Sequence, residues 1–120
     1  MKRTVFCGID RFEIWKPLLE NARVGLITNP TGIDRNFRAT IDRLSSACKL
    51  CCLFSPEHGV RGEKQAGDHV DSYIDESTAL PVYSLYGDSP HIPDAILSTL
   101  DVIVFDIQDV GARFYTYLYT

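Results

Sequence analysis

The sequence predicts an α/β fold, a parallel sheet with helices on its faces, and three observations point to it. Apolar stretches of strand length alternate with stretches of helical period in the order strand, helix, strand, loop, strand, helix, strand. The run Val102-Ile-Val-Phe105 is apolar without interruption, as expected of a strand buried on both sides. Polar groups gather just past the strands, at Thr28 and Asn29, at Glu57 and His58, at Tyr86, and at Asp106, Gln108 and Asp109. In parallel sheets ligands bind outside the carboxyl ends of the strands, so these residues are the first candidates for a site.

Taken in order, Asp10 is expected to cap a helix with Phe12, Trp15, Leu19 and Ala22 on one face, broken into two short pieces by Pro17. The first strand is expected over residues 23–29, and Asn29-Pro-Thr-Gly32 then reads as a turn, lacking the glycine pattern of a nucleotide-phosphate cradle. Asp34 is the expected cap of a second helix carrying Phe37, Ile41, Leu44 and Cys48 at helical spacing. A second strand follows over 49–54. Residues 55–79 form a polar connection longer than the common range, a length usually associated with function or disorder.

The third strand is expected over 80–85, closed by Tyr86-Gly87. Pro93 suits a helix start, with Ile92, Ile96, Leu97 and Leu100 as the inward stripe, and the fourth strand spans 101–107. Beyond Asp109 the chain is rich in aromatic residues. It suits a helix with Phe114, Tyr117 and Leu118 on one face, or an alternating strand, and either form needs a surface to pack on. The chain is therefore expected to be the front part of a longer protein, with its sheet cut after the fourth strand.

With 120 residues, 45% of them hydrophobic and 23% charged, the chain suits one domain with a modest core. The net charge of -4 comes from acidic and basic residues mixed throughout, and no basic block follows a phosphate backbone, which argues against nucleic acid as a partner. No apolar run approaches the roughly 20 residues of a membrane span. The start, Met1-Lys-Arg-Thr-Val-Phe-Cys-Gly-Ile-Asp10, has too short an apolar stub for a signal peptide, so the chain as written is expected to be cytoplasmic unless an export signal lies upstream. Cys48 and Cys51 have the spacing of a zinc pair but lack a second pair, and Cys7, Cys48, Cys51 and Cys52 read as reduced thiols, those of the second strand buried.

The stretch Phe54-Ser-Pro-Glu-His-Gly-Val-Arg-Gly62 carries the most chemistry. Glu57 can serve as a general acid if its carboxyl is kept protonated beside apolar groups such as Phe54. Glu57 and His58 can instead be metal ligands, with His69, Asp106 and Asp109 as further donors. Two structural readings stand beside these: an ion pair of Glu57 with Arg61, or a carboxylate accepting backbone hydrogen bonds in a glycine-rich turn. A chain that only binds sugar or a partner through an exposed sheet edge is a further reading.

Four blocks stand in an order that carries a resemblance: Gly25-Leu-Ile-Thr-Asn-Pro-Thr-Gly32; Phe54 to Gly62 as above with Gln65-Ala-Gly67; Leu80-Pro-Val-Tyr-Ser-Leu-Tyr-Gly87; and Val104-Phe-Asp-Ile-Gln-Asp-Val-Gly-Ala-Arg-Phe-Tyr-Thr-Tyr. In these the chain resembles the NamZ (YbbC-like) family of bacterial exo-acting β-N-acetylmuramidases, from about residue 23 to residue 120. The resemblance implies a Rossmann-like amino-terminal domain, here partial over residues 1–120, with helices on both faces of its sheet. Family members are longer and carry a carboxy-terminal domain absent from this chain, and the resemblance leaves a periplasmic or extracellular location open.

It also implies a glycoside hydrolase that releases terminal N-acetylmuramic acid from peptidoglycan fragments, and this chemistry requires no cofactor and no metal. Such hydrolysis uses two carboxyl groups. Glu57 fits the acid, with His58 beside it. Asp106 and Asp109 are candidates for the second group, unless it lies beyond residue 120. Arg61 and Arg113 are candidates for pairing the lactyl carboxylate of muramic acid, Tyr86 and Tyr115 for stacking on the sugar, and Asn29 and Gln108 for hydrogen bonds to it.

Overall fold

A computed structural model describes residues 3–62, 72–86 and 91–120. Its sheet has five strands: β1 (Arg23–Thr28), β2 (Lys49–Ser55), β3 (Tyr73–Ile74), β4 (Pro81–Ser84) and β5 (Val102–Asp106). They lie in the order β3-β4-β2-β1-β5, with β4, β2, β1 and β5 parallel to one another. All four expected strands are present, and the α/β fold with a mostly parallel sheet is as the sequence predicts. The fifth is new: β3 lies within the connection expected to be irregular and pairs antiparallel to β4. Two residues are too few to show an alternation.

Among the described residues three helices pack on the sheet, α1 (Phe12–Leu19), α2 (Thr40–Ala47) and α3 (Asp94–Leu97). On one face Leu19 of α1 and Ile41 and Leu44 of α2 meet Val24, Leu26, Leu50, Leu53 and Val82. On the other, Ile92, Ile96 and Leu100 around α3 cover Ile27, Cys52 and Phe54. Leu50 and Leu53 share a face although three residues apart. The register explains it: Val24 pairs with Leu50 but Gly25 with Cys52, so Cys51 is an extra residue that shifts the alternation by one. Phe54 then crosses Gly25, where a Cβ would stand 2.9 Å from its ring and 2.8 Å from Leu100.

Several local expectations are corrected. Pro17 does not break α1, which runs unbroken through it. The carbonyl it leaves unpartnered, four residues back at Glu13, belongs to an exposed residue and is left to water. Asp10 does not cap α1; its carboxylate accepts hydrogen bonds from the backbone N–H of Cys7 (2.8 Å) and of Arg35 (3.0 Å), tying two loops. Asp34 does not cap α2 either. It accepts from the N–H groups of Asn36 and Arg38 and from Arg43, closing the 33–39 loop, while Phe37 turns outward at φ 62°. Leu97 is exposed rather than inward, because α3 is a single turn.

The fourth expected strand, β5, is not buried on both sides. It is the outer strand, and Ile103 and Phe105 are 37% and 47% exposed, because among the described residues no strand lies beyond it. The aromatic segment after it is neither a regular helix nor a strand. It turns into a 3-10 turn at Tyr117–Tyr119, with Phe114, Leu118 and Tyr119 exposed. The thiols are unpaired, with Cys52 buried, Cys48 and Cys51 part-buried and Cys7 exposed; burial pushes the Cys52 thiol up to about 11. Among the described residues no helix is long and apolar enough to cross a membrane.

Two buried carboxylates set the acid limit of this fold. The Arg38 backbone N–H, foremost among its partners, holds Asp34 below the usual carboxylate range, and the Arg61 guanidinium does the same for Asp75. A depressed folded value stabilises the folded chain at pH above the unfolded value of about 3.9, and that stabilisation is lost as pH falls through the folded value. Urea midpoints are therefore expected to be level between about pH 7 and pH 5 and to fall steeply below about pH 4. Asp75→Asn should lower the plateau and flatten the acid limb; an unchanged limb would remove Asp75 from this account.

Candidate functional site

Because β4, β2, β1 and β5 run parallel, their carboxyl ends lie along one edge of the sheet. That edge carries Asn29, Glu57 and His58, Tyr86, and the segment from Asp106 to Asp109. It is the edge at which the sequence places the candidate residues.

Glu57 and His58 leave the end of β2 in a tight turn. His58 has φ 74° and Gly59 φ 81°, so a histidine sits in the left-handed region that L-residues seldom adopt. The Glu57 and His58 side chains are 35% and 40% exposed, with Oε1 and Nε2 3.8 Å apart. That distance is an electrostatic contact, too long for a hydrogen bond. Ser55, Pro56, Glu57, His58, Tyr73 and Ser84 line a shallow cleft with Tyr86 at its border. A second cleft shares Pro56, Glu57 and Tyr86 and is completed by Leu85, Thr116, Tyr117 and Thr120. Glu57 and Tyr86 thus border both.

The other candidates divide. Asn29 is buried and spends its side-chain oxygen on the Thr31 N–H (2.9 Å) and hydroxyl (2.6 Å), which shapes the 29–32 turn. The Thr31 hydroxyl also accepts from the Gln108 backbone N–H at 2.8 Å, joining the ends of β1 and β5. Gly32 allows the approach, since a Cβ there would run into the Thr28 hydroxyl and stand 2.9 Å from the Asp106 carbonyl. Asp106 turns its carboxylate toward α2, where the Thr40 hydroxyl donates to it at 2.5 Å. Asp109 accepts from the Gly111 N–H at 2.6 Å, and its Oδ2 is buried without a hydrogen-bond partner.

Both clefts bordered by Glu57 are lined without Asp106 or Asp109. The two strands are separated by β1, and two strand spacings amount to roughly 10 Å.

Arg61 is not placed as a free fork for a substrate carboxylate. Its Nε and Nη2 donate to Asp75 at 2.6 and 3.0 Å, and Nη2 also donates to Asp42 at 2.9 Å. The ion pair expected of Arg61 with Glu57 is replaced by these partners. Arg113 is exposed and makes no hydrogen bond or ion pair with a described residue, and Tyr115 is half-exposed, stacked edge-on against Tyr117. Among the described residues no three His, Cys, Asp or Glu side chains gather as a metal-binding group. His69, the Gln65-Ala-Gly67 part of the second block and Gly87 lie outside the described residues. Tyr73 and Ser84 of the first cleft, and Asp75 behind it, are residues that pattern reasoning missed; only the pairing of β4 on β2, and of the short β3 on β4, brings them there.

Residues 24–120 match the family model described as exo-β-N-acetylmuramidase NamZ, N-terminal. The chain is 51% identical to the peptidoglycan β-N-acetylmuramidase NamZ of Bacillus subtilis strain 168, over 99% of its own length and 30% of that protein's. Two crystal structures of DUF1343 family proteins from Bacteroides fragilis NCTC 9343 superpose on it, one at TM-score 0.80 and 44% identity, the other at 0.77 and 33%. They cover 95% and 98% of this chain, which spans 29% of each of theirs. The chain thus corresponds to rather less than a third of the relatives it matches.

Proposed function

Because this chain belongs to the NamZ amino-terminal family of exo-β-N-acetylmuramidases, we propose that it supplies the general acid of a peptidoglycan β-N-acetylmuramidase, with Glu57 in that role. One observation carries the reading. Glu57 stands at the carboxyl end of the central strand β2, open to solvent and bordering two clefts, on a chain half identical to a protein of that name.

In this reading Glu57 protonates the glycosidic oxygen of a terminal N-acetylmuramic acid residue as its bond to C1 breaks, and a second carboxylate acts as base or nucleophile. Asp109 is the better candidate on this chain, because one of its oxygens has no hydrogen-bond partner whereas Asp106 is engaged by Thr40. Arg113, free of described partners, is the arginine left for the lactyl carboxylate, since the fork of Arg61 is taken. The backbones of β2 and β5 end roughly 10 Å apart, just beyond the about 5–9.5 Å that separates two carboxyl groups across a glycosidic bond, so the two side chains have to lean toward each other to act as a pair.

The test is incubation of the full-length protein with a disaccharide bearing N-acetylmuramic acid at its non-reducing end. Release of free N-acetylmuramic acid is expected. Cleavage confined to the interior of longer glycans would overturn the exo reading, and failure to cleave any muramic acid glycoside would overturn the function.

A further inference from the structure

We propose that Asp75, acting through Arg61, is the positioning group of the loop that carries Glu57, and that Arg61 serves the reaction through this clamp rather than by binding substrate. The proposal deepens the muramidase reading and rests on Glu57 being the acid.

The Glu57 carboxylate accepts no hydrogen bond from a described residue, and the His58 imidazole stands 3.8 Å away. Its aim is therefore set by the backbone beneath it. That backbone is unusual: His58 has φ 74°, a left-handed conformation that a residue other than glycine keeps only when the surroundings hold it, and Gly59 beside it has φ 81°.

The residues just after it do the holding. Val60 is buried in the core cluster beneath β1 and β2, and its N–H donates to the Tyr73 hydroxyl at 3.3 Å. Arg61 then makes a two-point fork onto Asp75 and a third bond to Asp42 on α2. Asp75 is itself fixed, 4% exposed, accepting from the Thr78 N–H at 3.0 Å and hydroxyl at 2.6 Å, with its own N–H on the Leu80 carbonyl at the start of β4.

The clamp thus ties the loop to two separate elements, to α2 through Asp42 and to the β3–β4 turn through Asp75. A planar fork fixes orientation as well as distance, which a point charge does not. Only three residues separate Arg61 from Glu57, so slack at the clamp appears as misalignment of the acid. Misplacement of a catalytic group by about 1 Å costs on the order of 100-fold.

The experiment uses the full-length protein with Asp75→Asn and Arg61→Lys, each alone and combined with Glu57→Gln. Each single variant is expected to lower kcat by roughly 10- to 100-fold with KM nearly unchanged. In the Glu57→Gln background neither should lower the residual rate further, because a positioning residue has nothing left to position. Hydrogen exchange over residues 57–62 should rise in Asp75→Asn while β1 and β2 keep their protection.

An equal fall in the Glu57→Gln background would reduce the clamp to general stability, and a raised KM with kcat unchanged in Arg61→Lys would return Arg61 to substrate binding. Either overturns the proposal. Should the protein lack muramidase activity, the functional reading fails, and unaltered exchange at 57–62 in Asp75→Asn would separately refute the clamp. If Asp75→Asn does not fold, Asp42→Asn removes the more exposed arm of the clamp and is read the same way, with a smaller effect on kcat.

Discussion

Hydrolysis of a muramic acid glycoside with a poor leaving group is expected to fall roughly 100- to 10,000-fold in Glu57→Gln, with substrate binding retained. Glutamine keeps the shape and the hydrogen-bonding capacity of the carboxyl group but has no transferable proton. The loss should therefore appear in kcat and spare KM. A nitrophenyl glycoside, whose leaving group needs little protonation, should lose much less if bond cleavage limits the rate and Glu57 is not the nucleophile. His58→Gln should cost less than Glu57→Gln, since His58 stands 3.8 Å from the carboxylate and can act on it only through space. Full activity of Glu57→Gln on the poor leaving group would return the motif to a structural turn.

Phe54→Ala is expected to destabilise the fold by about 3–5 kcal/mol. The ring is fully buried on the central strand, lies across Gly25 and stacks at 5.9 Å against Tyr83. Its removal leaves a cavity that the close-packed strands around it cannot collapse into. For a chain of this size each kcal/mol moves the thermal midpoint by about 4 °C, so a fall of roughly 12–20 °C should be seen. Phe54→Leu should cost distinctly less. A loss below about 1 kcal/mol for alanine would show that Phe54 is not the keystone of the second core cluster.

Glu57 lies only three residues beyond Phe54. The same strand thus fills the core and delivers the proposed acid to the sheet edge, and the two substitutions separate these roles: one is expected to change rate without stability, the other stability first.

The parallel arrangement and the edge on which the candidate residues lie were legible in the sequence, because both follow from short-range signals. Apolar runs such as those ending at Thr28, Ser55 and Asp106 announce strands, and the helix-period stretches between most of them leave parallel pairing as the natural connection. Tertiary structure decided what depends on distant partners. It set β1 between β2 and β5, and so kept Glu57 apart from Asp106. It turned Asp106 toward Thr40, 66 residues earlier, and it closed Arg61 onto Asp75 and Asp42, 14 and 19 residues away. A side chain's charge and reach can be read from its identity, but which partner meets it is settled only when the strands find their order, and so an arginine that looks ready for a substrate carboxylate is found already holding one of the chain's own.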